Sequence, residues 1–241
     1  TRDGANENSE ENMSDFRVLF QNCIWLFIIG GALGVLIEGL WWRYRYGFWQ
    51  AHTTLLWAPL CTIYGFGCAG CYVGTLMFRE KSVLIQFLTF GIIGALVEYI
   101  GGALLFYGLG MRAWDYSDTF LNIKGFVNLK MALVWGLFGT AFQILMPALN
   151  KIFSYMNQEI WWRTTVFITA FLVADTIFSS IVLYRWSKRH QGLAAGNGLY
   201  RFIDRRYPDE KMEKRFNNWY FTDTGSVNDA RTKPFKEKET T

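Results

Sequence analysis

Long apolar runs separated by short polar stretches occupy most of this chain. Five of the runs are long enough to cross a bilayer as α-helices: residues 17–42, 57–78, 83–107, 128–149 and 164–186. Tryptophans lie at or beside the ends of these runs, where amphipathic rings settle at the level of the lipid headgroups. The pattern predicts an all-α polytopic membrane protein with five transmembrane helices.

The polar ends of the chain complete the predicted domain organisation. Residues 1–16 form a polar N-terminal segment, residues 17–187 the five-helix transmembrane domain, and residues 188–241 a basic C-terminal tail. A proline followed by two acids within the tail is typical of a helix start. We therefore predict a short C-terminal amphipathic helix, whose apolar face lies on a membrane or a protein and consists of Met212, Phe216, Trp219 and Tyr220.

Small residues and a glutamate recur with one spacing in the first and third runs. The matching sets are Gly31, Gly34 and Glu38, and Gly91, Gly94 and Glu98. The next runs continue the match with Tyr64, Gly65 and Gly67, and Trp135, Gly136 and Gly139. Because both helix pairs run in the same direction, we predict that the first four helices form a parallel two-helix repeat about an axis along the membrane normal. The glycines would form the seam between helices and place the two glutamates at equal depth.

The two glutamates are the first candidates for function. A carboxylate in an apolar helix is costly in lipid, so it is expected to face protein or water. Two aromatic loops lie on the same side of the predicted membrane, and we expect them to fold inward over the acids. The candidate ligand- or ion-binding residues are Glu38, Glu98, Asp115, Tyr64, Tyr116 and Asn122.

A structural interpretation stands beside each functional one. Glu38 and Glu98 could be a hydrogen-bonded pair at the glycine seam, and Asp115 could hold an Asx-turn in the sequence Trp-Asp-Tyr-Ser. Cys68 and Cys71 form a C-x-x-C inside a glycine-rich helix, where small packing residues are expected. We predict no catalytic residue, no metal site and no cofactor, and the pattern leaves open a bound phospholipid.

The net charge of +4 belongs to the tail, because Lys and Arg outnumber Asp and Glu by 13 to 8 after residue 184 and not before it. Such a tail could lie on anionic lipids or on an acidic partner. Nucleic acid is not a predicted partner, since no nucleic-acid motif accompanies the charge. Basic residues at the helix ends favour a tail on the cytoplasmic or matrix side.

Several short motifs between about residues 18 and 150 carry a family resemblance. They are Gly34 and Glu38; Pro59, Leu60, Cys61, Ile63, Tyr64, Gly65 and Gly67; Glu98, Tyr99 and Gly102; Trp114, Asp115, Tyr116 and Ser117; Asn122 and Gly125; Trp135 and Gly136. This pattern resembles the ABC-transporter permease family CmpB, or type IV, to which the eukaryotic transmembrane protein 229 is similar.

The chain departs from the family where the family has Asn-Arg-Gly and this sequence has His52, Thr53 and Thr54. A guanidinium is the natural partner of buried carboxylates. The lost arginine is therefore either replaced by Arg43, Arg45 or Arg112, or the family's activity is weakened in this chain.

These observations leave three functional hypotheses. The first, which we favour at this stage, is a non-catalytic integral membrane subunit of a larger complex, with an organellar membrane such as the mitochondrial inner membrane as one setting. Its partners would be other membrane subunits, bound through the N-terminal segment, the fifth helix and the tail, and anionic lipids. The alternatives are a transporter permease with a paired-glutamate path, and an intramembrane enzyme acting on lipid headgroups. The 241 residues contain no nucleotide-binding motif.

Overall fold

The apolar runs fold as helices in the computed structural model, which describes the backbone of residues 2–224 and the side chains of residues 15–224. Five helices carry these runs: α1 Arg2–Tyr46, α2 Thr62–Phe78, α3 Val83–Leu109, α4 Leu129–Ser154 and α5 Glu159–His190. Four of them are long and apolar enough to cross a membrane: α1 from Asp15 onward, α3, α4 and α5. The chain is therefore a mostly helical integral membrane protein.

The second helix is shorter than the run that predicted it. It begins at Thr62 and has 17 residues, or about 26 Å, which is less than the roughly 30 Å of a hydrocarbon core. Residues 57–61 are not helical, because Pro59 disfavours helical backbone at Ala58 and the N–H groups of Trp57 and Ala58 bond to a side chain of α5. The count of five membrane-crossing helices stays a prediction.

The tail contains more structure than one amphipathic helix. Two short helices follow α5, α6 Gly198–Arg206 and α7 Asp209–Arg215. The predicted helix ends before Phe216, yet the predicted apolar face is covered, since Met212 and Phe216 have no exposed surface and Trp219 is 6% exposed. This face lies on the chain itself, against the ends of α3 and α5.

Four strands of two residues each, which the sequence pattern did not predict, connect the loops. β1 Met111–Arg112 pairs with β4 Tyr220–Phe221, and β2 Asn122–Ile123 pairs with β3 Val127–Asn128, both antiparallel. The first pair ties the tail to the start of the loop between α3 and α4. The second pair makes a hairpin of the rest of that loop.

The helices pack closely at the predicted glycines, α1 against α2 and α3 against α4. A Cβ atom on Gly31 would lie 3.1 Å from the Cys61 carbonyl oxygen, and one on Gly91 would lie 2.9 Å from the Ala132 carbonyl oxygen. Backbones can approach this closely only where no side chain intervenes. The glycines therefore face the neighbouring helix and not the lipid.

One turn further along, an aromatic ring fills the space over a glycine in each pair. Gly34 lies under the ring of Tyr64, and Gly94 lies under the ring of Trp135, so that a Cβ atom at either glycine would collide with the ring. These contacts place the hydroxyl of Tyr64 against Glu38 and the indole of Trp135 against Glu98. The glycines on α1 and α3 thus position the hydrogen-bond donors of the two acids, which are Tyr64 on α2 and Trp135 on α4.

The polar face of α5 is satisfied within the chain. Asp175 is fully buried and accepts hydrogen bonds from the backbone N–H groups of Trp57 and Ala58, at 3.2 and 2.7 Å, and from the hydroxyl of Ser179 at 2.9 Å. Ser179 in turn accepts from the N–H of Leu56 at 2.8 Å. These bonds hold the loop between α1 and α2, residues 47–61, against α5.

Gly94→Ala is expected to lower the free energy of unfolding by about 1–3 kcal/mol, because the added methyl group overlaps the Trp135 ring in a packed interface. Thermal unfolding in detergent measures the effect. Gly108→Ala is the matched control on the same helix, since a Cβ atom there meets no atom within 4 Å. Equal stability of the two variants would contradict the proposed seam.

Asp175→Ala is expected to cost about 2–4 kcal/mol, because it leaves buried N–H groups of two loop residues without an acceptor. Asp175→Asn keeps one acceptor oxygen and is expected to cost less. The control is Thr176→Ala, whose side chain is exposed on the next position of the helix. A thermal midpoint for Asp175→Ala equal to that of the control would show that the loop does not depend on this carboxylate.

Candidate functional site

A cavity of about 890 Å³ lies at the end of the bundle where α1 and α3 finish and α2 begins. Its walls come from these helices, from the loops that follow α1 and α3, and from the tail after α7. The lining residues are chiefly acids and aromatic residues, and they include five of the six predicted site residues: Glu38, Tyr64, Glu98, Asp115 and Tyr116.

Glu98 is the most buried acid of the cavity wall. It is 5% exposed, and its Oε1 accepts a hydrogen bond from the indole Nε1 of Trp135 at 3.0 Å. Its Oε2 is buried and has no hydrogen-bond partner among the residues that the structure describes. Because a carboxylate oxygen buried without a partner is costly, a proton, a water molecule or a ligand has to supply the missing partner.

Glu38 has the equivalent partner on the first helix pair. Its Oε1 accepts a short hydrogen bond from the hydroxyl of Tyr64, which lies in the first turn of α2. The ring centroids of Tyr64 and Trp135 are 6.0 Å apart, so the two acid–aromatic pairs lie next to each other. Both acids therefore border one space.

The two acids influence the pKa values of two loop residues, Tyr116 and His52. Burial raises the pKa of Tyr116, and the negative charges of Glu98 and Glu38 raise it further, which keeps the phenol protonated. Burial lowers the pKa of His52 and outweighs the opposite effect of Glu38, so the imidazole is held in its neutral form near pH 7. The cavity wall thus offers neutral groups opposite the two acids.

Asp115 organises the loop that covers the cavity. Its Oδ1 accepts hydrogen bonds from the N–H and the hydroxyl of Ser117, at 2.9 and 2.6 Å, and from the guanidinium of Arg112 at 3.1 Å. The bond to the N–H two residues ahead is the Asx-turn considered above. Of the three arginines suggested as replacements for the family's arginine, Arg112 is the one that lines the cavity.

Asn122 lies outside the cavity wall. Its Nδ2 donates to the carbonyl oxygens of Ser117 and Thr119, both at 2.9 Å, and its Oδ1 accepts from the N–H of Gly125 at 3.1 Å. Gly125 has φ +71°, a conformation that favours glycine. Asn122 therefore holds the β2–β3 hairpin, and its geometry is that of a structural residue.

The structure adds site residues that the sequence interpretation did not assign to the site. Trp135 was noted only as part of a motif, and it binds Glu98. Asn218 and Trp219 come from the tail, which was expected to lie on a membrane or a partner. No local pattern in the tail indicates that it lines the same cavity as the glutamates, because its position depends on how α6 and α7 fold against the bundle.

The formal charge of the cavity wall is negative. Glu38, Glu98, Asp115 and Asp118 line it, against the one cation Arg112. Within residues 15–224, no group of three or more His, Cys, Asp or Glu side chains is arranged to hold a metal ion. Cys68 and Cys71 are buried as free thiols in the apolar core, away from this wall. The arrangement favours a cationic ligand that binds both carboxylates and aromatic faces.

Comparisons with known proteins agree with the sequence motifs. No curated protein and no solved structure matches the chain. The model of the CmpB family, described as "Putative ABC-transporter type IV", matches residues 25–180, which is more than half of the chain and includes α2, α3, α4 and most of the α1 and α5 spans. The resemblance drawn from the motifs is confirmed, and the chain belongs to the CmpB family of type IV ABC-transporter proteins.

Proposed function

We propose that this chain is a transporter-like membrane protein that binds a small organic cation, a protonated amine, in the cavity between Glu38 and Glu98. The observation that carries the proposal is the buried Oε2 of Glu98, which lacks a partner among the described residues and belongs to the wall of an acidic cavity. An ammonium group would supply the missing hydrogen bond and balance the charge.

The size and lining of the cavity support an amine over a bare metal ion. About 890 Å³ is the volume of a small-molecule site, and far more than one ion occupies. Trp42, Tyr64, Trp114 and Tyr116 contribute aromatic surface, which attracts organic cations through the ring quadrupole. The carboxylates and the rings together fit a cation that has both charge and apolar surface.

Internal symmetry supports a transport role for this cavity. Gly31 and the Cys61 carbonyl correspond to Gly91 and the Ala132 carbonyl, and Gly65 at the Phe27 carbonyl corresponds to Gly136 at the Phe87 carbonyl. In these contacts each α3 position follows its α1 counterpart by 60 residues, and Ala132 and Gly136 follow Cys61 and Gly65 by 71 residues. The predicted match of Gly67 with Gly139, which are 72 residues apart, does not have this spacing. We infer from these matches that α1–α2 and α3–α4 are two copies of one unit and that α2 also spans the membrane. Transporters commonly bind substrate where two repeats meet.

Glu98→Gln separates a binding role from a structural one. The amide oxygen can still accept from Trp135, and the variant removes a buried charge, so we expect equal or higher thermal stability without ligand. Binding of ethanolamine to purified protein in detergent is expected to weaken at least tenfold, because a charge-assisted hydrogen bond is lost. Isothermal titration calorimetry measures the binding.

The control for this experiment is Glu80→Gln, which removes an equal charge from the exposed loop between α2 and α3, where Glu80 is 86% exposed. Its affinity is expected to equal that of the wild type. A Glu98→Gln variant that binds ethanolamine as tightly as the wild type, or a wild type that binds no amine, would refute the proposed site.

A membrane subunit of a larger assembly is the second candidate function, and the exposed surface of the tail favours it. The helix α6 exposes three arginines to solvent beside the half-exposed side chains of Phe202 and Leu199, whereas α7 exposes acids as well as lysines. A basic surface with apolar residues fits an acidic partner or anionic lipid. The exposed basic residues are Arg201, Arg205, Arg206, Lys211 and Lys214.

Replacing Arg201 and Arg205 together by Glu is expected to remove a co-purifying partner, because the reversed charges repel an acidic surface. Native mass spectrometry of protein purified from its own membranes measures the change in assembly mass. The double variant Arg79→Glu with Lys81→Glu, on an exposed loop at the other end of the bundle, is the control. If the wild type and both variants run as the same monomer, the subunit role is excluded.

A further inference from the structure

The segment that follows α7, residues 216–222, contributes to the wall of the cavity. Asn218, Trp219, Tyr220 and Thr222 line the cavity together with the family core, although the family match ends at residue 180. Asn218 is 4% exposed and Trp219 is 6% exposed. The described chain therefore encloses these two side chains and directs part of their surface toward the proposed ligand.

Both side chains carry a polar atom without a described partner. The indole Nε1 of Trp219 and the Oδ1 of Asn218 are buried, and neither has a hydrogen-bond partner in residues 15–224. The other amide atom of Asn218, Nδ2, donates to the carbonyl of Ala113 at 3.4 Å. Buried donors and acceptors are nearly always paired in native proteins. Glu98 and His52 also line this cavity and also have a buried atom without a described partner, Oε2 and Nδ1 respectively, so the cavity suits a ligand with several polar groups.

The segment is held in place by the loop between α1 and α2 and by the start of the loop between α3 and α4. Arg215 donates to the carbonyl oxygens of Leu55 and Ala58, at 2.6 and 2.9 Å, and its own carbonyl accepts from Thr53 at 3.1 Å. Thr53 occupies the position where the family pattern has arginine. On the other side, β4 pairs with β1, and the N–H of Thr222 donates to the carbonyl of Gly110 at 3.0 Å. The segment is therefore anchored on either side of Asn218 and Trp219.

We propose that Asn218 and Trp219 complete the binding site and select an amine that also carries a hydrogen-bond acceptor such as a hydroxyl group. This inference rests on the proposed amine-binding function. Glu38 and Glu98 would hold the ammonium group, and the indole N–H of Trp219 would donate to the oxygen of the ligand. An amino alcohol, free or as the headgroup of a lipid, has this chemistry.

The test compares two amines of nearly equal size that differ by one hydroxyl group, ethanolamine and propylamine. Trp219→Phe keeps an aromatic ring and removes the N–H, so it is expected to weaken ethanolamine binding by about 3–10-fold, the range of one neutral hydrogen bond, and to leave propylamine binding unchanged. Calorimetry on the full chain in detergent gives both affinities. Trp162→Phe, on α5 beside Phe20 and Arg17 at the opposite end of the bundle, is the matched control.

The outcomes separate this inference from the proposed function. If the wild type binds neither amine, the amine-binding function fails and this inference fails with it. If the wild type binds amines and Trp219→Phe changes both affinities equally, or changes neither, only the role of Trp219 is overturned. Should Trp219→Phe not fold, Asn218→Leu removes the Oδ1 acceptor, and an unchanged ethanolamine affinity in that variant would equally overturn the proposal.

A second comparison identifies the source of the amino alcohol. The wild type is reconstituted in vesicles of phosphatidylcholine alone or with phosphatidylethanolamine, and the affinity for free ethanolamine is measured in each. A lower apparent affinity with phosphatidylethanolamine supports a lipid headgroup as the ligand, through competition. Equal affinities support the free amino alcohol.

Discussion

The close approach of α3 to α4 at Gly94 is the contact on which the site depends. The absence of a side chain there lets the Trp135 ring lie directly on the α3 backbone, and this places its indole N–H 3.0 Å from Glu98. Gly34 and Tyr64 make the corresponding contact on the other helix pair and orient a hydroxyl toward Glu38. Each acid therefore receives one donor from a neighbouring helix. The same packing that stabilises the bundle therefore also places one hydrogen-bond donor at each carboxylate.

A second set of contacts holds the loop and the tail that contribute to the cavity wall. Asp175 on α5 holds residues Trp57 and Ala58 by their backbone N–H groups, and Arg215 from the tail binds the carbonyl oxygen of Ala58. The charge of Asp175 also favours the guanidinium form of Arg215, whose pKa burial lowers. On α6, at the beginning of the tail, Asp204 binds Arg185, a contact that lowers the pKa of Asp204. The tail is thus bound to the bundle by ion pairs on α6 and by backbone bonds of Arg215.

The long helices could be predicted from the sequence, because apolar length is a local property, and the binding role of the two acids stays a prediction. A long apolar run identifies a membrane helix wherever no tertiary hydrogen bond holds its backbone in another conformation. The spacing of Gly94 and Glu98 follows from the helical period. The start of α2 could not be predicted, since Trp57 and Ala58 are apolar and their non-helical backbone is bonded to a carboxylate more than a hundred residues away. Tertiary contacts of this kind override the local pattern.

Asn122 and Trp219 show that a sequence motif does not decide which side chains line the cavity. Asn122 belongs to a motif with Asp115 and Tyr116, but its amide is consumed by the backbone of its own hairpin. Trp219 belongs to an amphipathic pattern that normally marks a surface helix, but the chain turns after Arg215 and brings the indole to the cavity. A polar group can bind a ligand only if the fold leaves it without an internal partner, and this property is decided by the whole chain. Among the described residues that line the cavity, Glu98, His52, Asn218 and Trp219 each have a buried polar atom without a hydrogen-bond partner, and they come from the family core and from the tail alike. A binding site shared between these two parts would let the tail alter ligand selection without changing the helices that carry the acids.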